Sequence, residues 1–386
     1  MQKTFLFIST LEHLPWGGCE DLWYKTALIA LKEGNEVLAL VFKHDTIPVH
    51  IQQLQKAGAE IFFLERPTQR VTLFKKAKQK IFPNVRYRKV LEAADKKISN
   101  KNTTIIVSQA GGFDFSYGYL DEISEWLTHK NLPLYVIVQN VPDLGFTLSV
   151  EGIEKQKKIY NRAHKVFFVS DRNRISSERI LAAHLDNATV VCNPLNVSLA
   201  DKPSPFPSVS GRIKFAEVAA LRCFHKGQDV LLQVLSGDQW KQRDWELNLF
   251  GEGPDKDYLK RLASFYGIED RVHFHGHVKD IREVWRENHI HVLPSLGEGT
   301  PLALIESMYC GRPAITSDVG GNAAYCEDSI CGFICDYPTP AALERVMERA
   351  WVERGRWEEM GRKASEKINK DYNLEGSSTL YEFISA

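Results

Sequence analysis

The chain has 386 residues, 44% hydrophobic and 25% charged, the profile of a soluble globular protein long enough for two domains. Its 49 basic side chains balance 49 acidic ones, which argues against a general nucleic-acid binder. No apolar run reaches the ~18–20 residues of a membrane span, and the seven scattered cysteines read as free thiols of a reducing compartment.

The first run, TFLFIS, predicts a strand and not a signal peptide, so a cytoplasmic location is expected. CEDLWYKTALIALKEG predicts a helix with Trp23, Ala27, Ala30 and Leu31 on one side and Gly34 past its end. EVLALVF, EIFFL, TTIIVS, LYVIVQN and KVFFVS follow as near-continuous apolar strands, the pattern of a parallel sheet covered on both faces. Residues 197–212, VSLADKPSPFPSVSGR, hold three prolines and four serines and predict a linker. The alternation then restarts with strands IKFAEVAAL, ELNLFG, VHFHG, IHVLPS and RPAITS. Helices are expected near Gln228, Asp255, Asp280, Pro301 and Pro340.

Two doubly wound α/β domains in series are the expected fold: 1–196, then 213–365 after the linker, with 366–386 a C-terminal helix returning to the first domain. In such sheets ligands bind beyond the carboxyl ends of the strands. The chemistry-bearing residues do fall there. Gly17-Gly18 follows the first strand and allows close backbone approach. Arg222 and Lys226, four apart before Gly227, suit a diphosphate, although a pair of solvated cations fits the spacing as well. Gly297-Glu298-Gly299-Thr300-Pro301 leads into a helix near Leu302, with Thr300 expected as N-cap and Pro301 as the first helical residue. Glu306 lies about one turn inside that helix, near its positive dipole end.

Other motifs weigh less. His273, His275 and His277 lack a completing cysteine or carboxylate, so metal binding is disfavoured. Asp255 and Asp257 read as acids at a helix start. Cys326, Cys331 and Cys335 match no zinc spacing and read as residues of a strand and its flanks. Walker, Gly-x-Ser-x-Gly and Gly-x-Gly-x-x-Gly motifs are lacking, which disfavours NAD.

Taken together, these residues resemble a retaining glycosyltransferase of family 4, with the GT-B fold of two Rossmann-like domains facing across a cleft. Glu298 to Glu306 resembles the family's Glu-x7-Glu signature, and Arg222, Lys226 and Gly227 its Arg-x3-Lys-Gly element. LFGEGP (249–254, with Gly251), RPAITSDVGGN, VVCNPLN and WGGCE resemble further family segments. The resemblance implies that Arg222 and Lys226 neutralise the leaving diphosphate and that Glu298 holds the transferred sugar; these three would be the catalytic residues. It implies that Glu306 holds the ribose and that backbone NH groups at Gly299, Thr300 and Leu302 meet sugar or phosphate, Pro301 having none. Gly17 and Gly18 would cover the pyrophosphate, and His277 and Val278 would hold the base by their backbone. Gln139-Asn140 stands where many relatives carry histidine; either Gln139 or Asn140 would contact the donor sugar, Asn140 being the one expected among the donor-binding residues, and neither is a convincing base. The implied donor is a UDP- or GDP-sugar, with no metal or other cofactor, and the acceptor a hydroxyl of a glycan, a lipid-linked molecule or a small molecule. Another GT-B enzyme, such as an epimerase or phosphorylase, and a non-catalytic nucleotide-binding module are the alternatives.

Residues 70–102 carry eleven Lys/Arg and two acids, with Phe74, Ala77 and Ile81 on one predicted helix face. Packing of that face on the first domain, and peripheral contact with an anionic membrane, are both open readings.

Overall fold

Near-continuous apolar runs bury both faces only in a parallel sheet, and the computed structural model contains two such sheets. It describes residues 2–66, 86–98, 102–143, 145–197 and 205–386. The chain divides into two units, 1–194 with 374–386, and 195–373. In the first, β1 (Thr4–Ser9), β2 (Glu36–Phe42), β3 (Glu60–Leu64), β4 (Thr103–Gln109), β5 (Leu134–Val138), β6 (Lys165–Phe168) and β7 (Ala188–Val190) stand in the order β3-β2-β1-β4-β5-β6-β7. In the second, β8 (Ile213–Val218), β9 (Trp245–Phe250), β10 (Val272–Gly276), β11 (Ile290–Leu293), β12 (Ala314–Ser317) and β13 (Gly332–Cys335) stand in the order β10-β9-β8-β11-β12-β13. Among the described residues every ladder between these strands is parallel. The order reverses at β1 in one unit and at β8 in the other. These are the topological switch points, where a crevice opens at the carboxyl end.

The period of two along each strand divides the core. Leu6 and Ile8 join one apolar cluster, and Phe5 and Phe7 the other, where they meet Trp23 and Ala27 of the helix Asp21–Lys32. In the second unit Phe215 meets Trp240, Trp351 and Trp357 at ring-centroid distances of 6.0–6.4 Å. Trp357 and Met360 are fully buried there, so the helix Trp357–Asp371 belongs to the second unit.

The return to the first unit therefore begins at Leu374, later than the expected 366. Leu380 and Ile384 of the helix Gly376–Ser385 complete the Phe5/Phe7 cluster, and Asn35 Nδ2 donates to Tyr381 Oη at 2.9 Å. The expected linker is shorter on its second side. Pro205 O already accepts from Arg312 Nη2 at 2.9 Å, and the Arg312 guanidinium lies over the Phe206 ring.

Part of the basic stretch forms the helix Arg88–Ile98. Its Leu91, Ala94 and Ile98 pack inward, and Lys97 pairs with Glu60 at 3.0 Å. The predicted face of Phe74, Ala77 and Ile81 lies outside the described residues. Among the described residues no helix is long and apolar enough to cross a membrane.

Gly376 meets the first unit so closely that a Cβ would stand 1.9 Å from Cys192 O. Gly376→Ala is expected to lower the stability of the first unit by about 1–3 kcal/mol, read by thermal melting and by faster proteolysis of the C-terminal helix.

Candidate active site

Three loops converge at the carboxyl ends of β8, β11 and β12. The first follows β8. Ala219 N donates to Phe250 O at 3.0 Å, and Leu221 N to Glu252 O at 3.1 Å. A Cβ on Gly251 would lie 2.0 Å from Ala219 O, and one on Gly253 2.2 Å from Leu221 O, so the GEGP turn is clasped against this loop. Asp255 Oδ2 accepts from Cys223 N at 2.8 Å. It thus caps the short helix Cys223–Lys226 and not its own helix, where the sequence placed its effect. Arg222 is the N-cap residue of that short helix and is half-buried. Gly227 closes it with φ +69°, and a Cβ there would stand 2.2 Å from Pro294 O at the end of β11.

That close approach sets Lys226 beside the second loop. Lys226 Nζ donates to Glu298 Oε1 at 2.5 Å, and Ser295 Oγ donates to the same oxygen at 2.6 Å. The Glu298 side chain is 9% exposed and that of Lys226 22%, so the ion pair is largely withdrawn from water. The third loop completes the clasp. Gly320, φ +52°, would place a Cβ 1.9 Å from Glu298 O, and Gly321 N donates to Gly299 O at 3.1 Å.

The helix Leu302–Tyr309 begins as expected near Leu302, but Thr300 is not its cap. Pro301 holds that position, with φ −78° and ψ 72° and no side-chain cap bond, while Leu302 N turns back to Thr300 O at 2.9 Å. Gly299, Thr300 and Pro301 are buried. Glu306, 8% exposed, accepts from Asn196 N at 3.1 Å. The two carboxylates therefore have different surroundings: Glu298, in the loop, is paired with an ammonium, and Glu306, in the helix, is bound to a backbone NH.

Two buried groups beneath the loops were not singled out by the sequence. His291 lies in β11, its Nδ1 3.1 Å from Ser307 Oγ and its ring 5.1 Å from Trp285; its Nε2 has no partner among the described residues. Burial depresses its pKa to about 3, with Lys226 adding to the effect. Glu217 lies in β8, 1% exposed. Burial pushes its carboxyl well above the usual range, against the pull of Lys226. Both hide in strands that read as apolar.

Of the remaining candidates, His277 is exposed and Val278 half-buried just past β10, where Gly251 N donates to Gly276 O at 2.8 Å. His275 Nε2 lies 2.7 Å from Asn248 Oδ1 and its ring stacks on Phe250 at 4.5 Å. Among the described residues no group of three or more His, Cys, Asp or Glu is placed to hold a metal.

In the first unit Gly17 is extended and Gly18 opens a single turn, Gly18–Glu20, that leads into the helix Asp21–Lys32. Trp16 stacks on His50 at 4.3 Å and donates to Asp21 Oδ1 at 3.1 Å, which holds the loop in place. Glu20 accepts from Trp23 Nε1 at 2.9 Å, and burial raises its pKa to about 7. Gln139 Oε1 accepts from Asn193 Nδ2 at 2.8 Å, while Asn140 is half-buried with Oδ1 unpartnered among the described residues. Asp114, also not singled out by the sequence, accepts from Thr10 Oγ1 at 2.5 Å at the end of β1.

The neutral state of His291 has a consequence for stability. The unfolded chain protonates this residue below about pH 6.5, whereas the folded one holds it neutral until about pH 3, so its contribution is lost as pH falls through that window. His291→Asn is expected to flatten the acid limb of the unfolding curve between those pH values, measured by denaturant titration. An unchanged acid limb would contradict the assignment.

Residues 206–367, most of the second unit, match the family model described as glycosyl transferases group 1. An uncharacterized glycosyltransferase of Haemophilus influenzae is 35% identical over 29% of this chain and 32% of its own length. The N-acetyl-alpha-D-glucosaminyl L-malate synthase of Bacillus anthracis is 28% identical over 36% of this chain and 37% of its own. The chain spans about a third of the length of these curated relatives. Anabaena Alr3699/HepE, solved in complex with UDP, superposes with a TM-score of 0.74 at 16% identity over 100% of both chains. The sucrose-phosphate synthase of Thermosynechococcus elongatus gives 0.75 at 16% identity, also over 100% of both. The fold is GT-B.

Proposed function

We propose that the chain is a glycosyltransferase that moves a sugar from a UDP- or GDP-linked donor to an acceptor hydroxyl with retention of configuration. The observation that carries this reading is the Lys226–Glu298 pair at the switch point of the unit that matches group 1 glycosyltransferases.

The chemistry follows from charge. As the bond between the sugar's C1 and the phosphate oxygen breaks, negative charge grows on the leaving diphosphate. Lys226 and Arg222 supply positive charge at that place, where a preorganised donor is worth most. Lys226 must turn from Glu298 toward the phosphate to do so. Glu298 then has its acceptor capacity returned and takes hydroxyls of the transferred sugar. Glu306, fixed through one oxygen to Asn196 N, holds the ribose hydroxyls. The acceptor oxygen forms the new bond to C1 on the face the diphosphate leaves, and its proton passes to a phosphate oxygen. Atoms and charge balance without a protein nucleophile. His277 and Val278 take the base, Gly17, Gly18 and Asn140 serve donor contacts, and the two cations replace a metal in this scheme. A glycan or lipid-linked acceptor suits the reading, as does work on the cytoplasmic side.

Two measurements test it. UDP or GDP at about 100 times its Kd is expected to raise stability by about 2.7 kcal/mol, seen as a shift in melting temperature; stabilisation by neither contradicts the reading. Glu306→Gln keeps an oxygen for Asn196 N but loses the charge. It is expected to lower kcat/KM for the donor by about 10- to 100-fold with an unchanged circular dichroism spectrum, and wild-type turnover would refute the role given to Glu306.

A further inference from the structure

We propose that Glu217 is a positioning residue: it stands as a neutral carboxylic acid, donates its O–H in a hydrogen bond to the Gln228 side-chain oxygen, and so leaves Lys226 to Glu298 and to the incoming diphosphate. The ligand named here rests on the glycosyltransferase reading; the protonation state does not.

The argument begins with an excess of acceptors. Glu217 shares a face of β8 with Ile213 and Phe215, which are packed in the apolar core, and is 1% exposed. Oε1 and Oε2 both lack a hydrogen-bond partner among the described residues. The Gln228 side chain lies against this carboxyl. Its Nε2 is committed to Ala220 O at 3.0 Å, and its Oε1 is also without a partner. Three buried oxygens, two of Glu217 and one of Gln228, thus stand without a hydrogen-bond partner among the described residues. A carboxylate at this place would be a buried charge with none of its lone pairs satisfied, a strongly unfavourable state. A carboxylic acid supplies the missing O–H, which one Gln228 oxygen can accept.

The charges around Glu217 support the same state. Lys226 faces it from the short helix Cys223–Lys226, Asp229 from the following helix and Glu298 from the loop after β11; His291 of β11 faces Lys226 and is neutral. Lys226 and the Gln228 amide favour ionisation, while burial, the largest effect, opposes it together with Glu298 and Asp229. Lys226 is already satisfied by Glu298 at 2.5 Å. An ionised Glu217 would offer Lys226 a second counter-ion from the core side and draw it away from the loop mouth. A neutral Glu217 leaves the ammonium with one partner, which is exchangeable for a phosphate oxygen.

The test uses the full chain with two substitutions and two readouts. Infrared difference spectroscopy of wild type against Glu217→Gln should show the carbonyl band of a protonated carboxyl that the variant lacks. Calorimetric titration with UDP should give Glu217→Gln, which keeps a neutral donor, an affinity within about twofold of wild type at neutral pH. Glu217→Leu, which leaves the Gln228 oxygen unpaired, should bind UDP about tenfold more weakly. Toward alkaline pH the wild-type affinity should fall more steeply than that of Glu217→Gln. No acid band, or a Glu217→Gln protein as weak as a carboxylate-dependent site would make it, overturns the proposal. If Glu217→Leu does not fold, the spectrum and pH profile of Glu217→Gln decide alone. If wild type binds neither UDP nor GDP, the glycosyltransferase reading falls, and the infrared band by itself upholds or overturns the neutral acid.

Discussion

The ion pair between Lys226 and Glu298 is the constraint on which the second unit's site depends. Its two residues lie on different loops, which are held together by a glycine of the first and a glycine of a third loop, neither of which tolerates a Cβ. Gly227 touches Pro294 O and Gly320 touches Glu298 O. Ser295 adds a second donor to the carboxylate. A largely buried pair of this kind contributes little net stability, but removing one partner leaves an unpaired charge at a cost of about 3–5 kcal/mol. The pair therefore locks the loops into one register. In the proposed reaction it also keeps a cation and a carboxylate ready for a diphosphate and a sugar.

Around this pair the protein keeps other charge low. Glu217 and His291 are titratable groups that burial holds away from their charged forms. Asp255 spends its carboxylate on the NH of Cys223, and Arg312 gives its donors to the carbonyls of Asn288, Cys310, Gly311 and Pro205. Asp255 and Arg312 are thus satisfied by backbone, and the exchangeable interaction is the one between Lys226 and Glu298. That division between fixed scaffold and exchangeable contact is what preorganised electrostatic catalysis requires.

Much of this was legible in the residues. Runs such as EVLALVF and EIFFL fall on β2 and β3 residue for residue, because buried parallel strands need no polar alternation. Glu298, Glu306 and Lys226 could be placed at strand ends because glycines and prolines punctuate the chain there. Other features could not be read. Ala188–Val190 makes a strand of three residues, too short for any period to register. Thr300 looks like a helix cap, but the backbone reaches its helical angles only after Pro301, so the capping position falls one residue later. Glu217 sits in IKFAEV on the same side as Ile213 and Phe215, where alternation predicts an apolar residue. A lone acid in a strand looks like a solvent-facing position until the sheet is assembled. The partner of Lys226 lies 72 residues away in sequence, a distance that no local pattern spans.

The central claim is that the carboxylate of Glu298 competes with the donor's phosphate for Lys226. The most direct test is the affinity of the Glu298→Gln variant for UDP, which has the diphosphate but lacks the transferred sugar that would engage position 298. Removing the competing charge should make UDP bind more tightly than it does to wild type, while transfer is lost. If Glu298→Gln binds UDP as wild type does, or more weakly, Lys226 is not being shared between the carboxylate and the phosphate, and the account of the site is wrong.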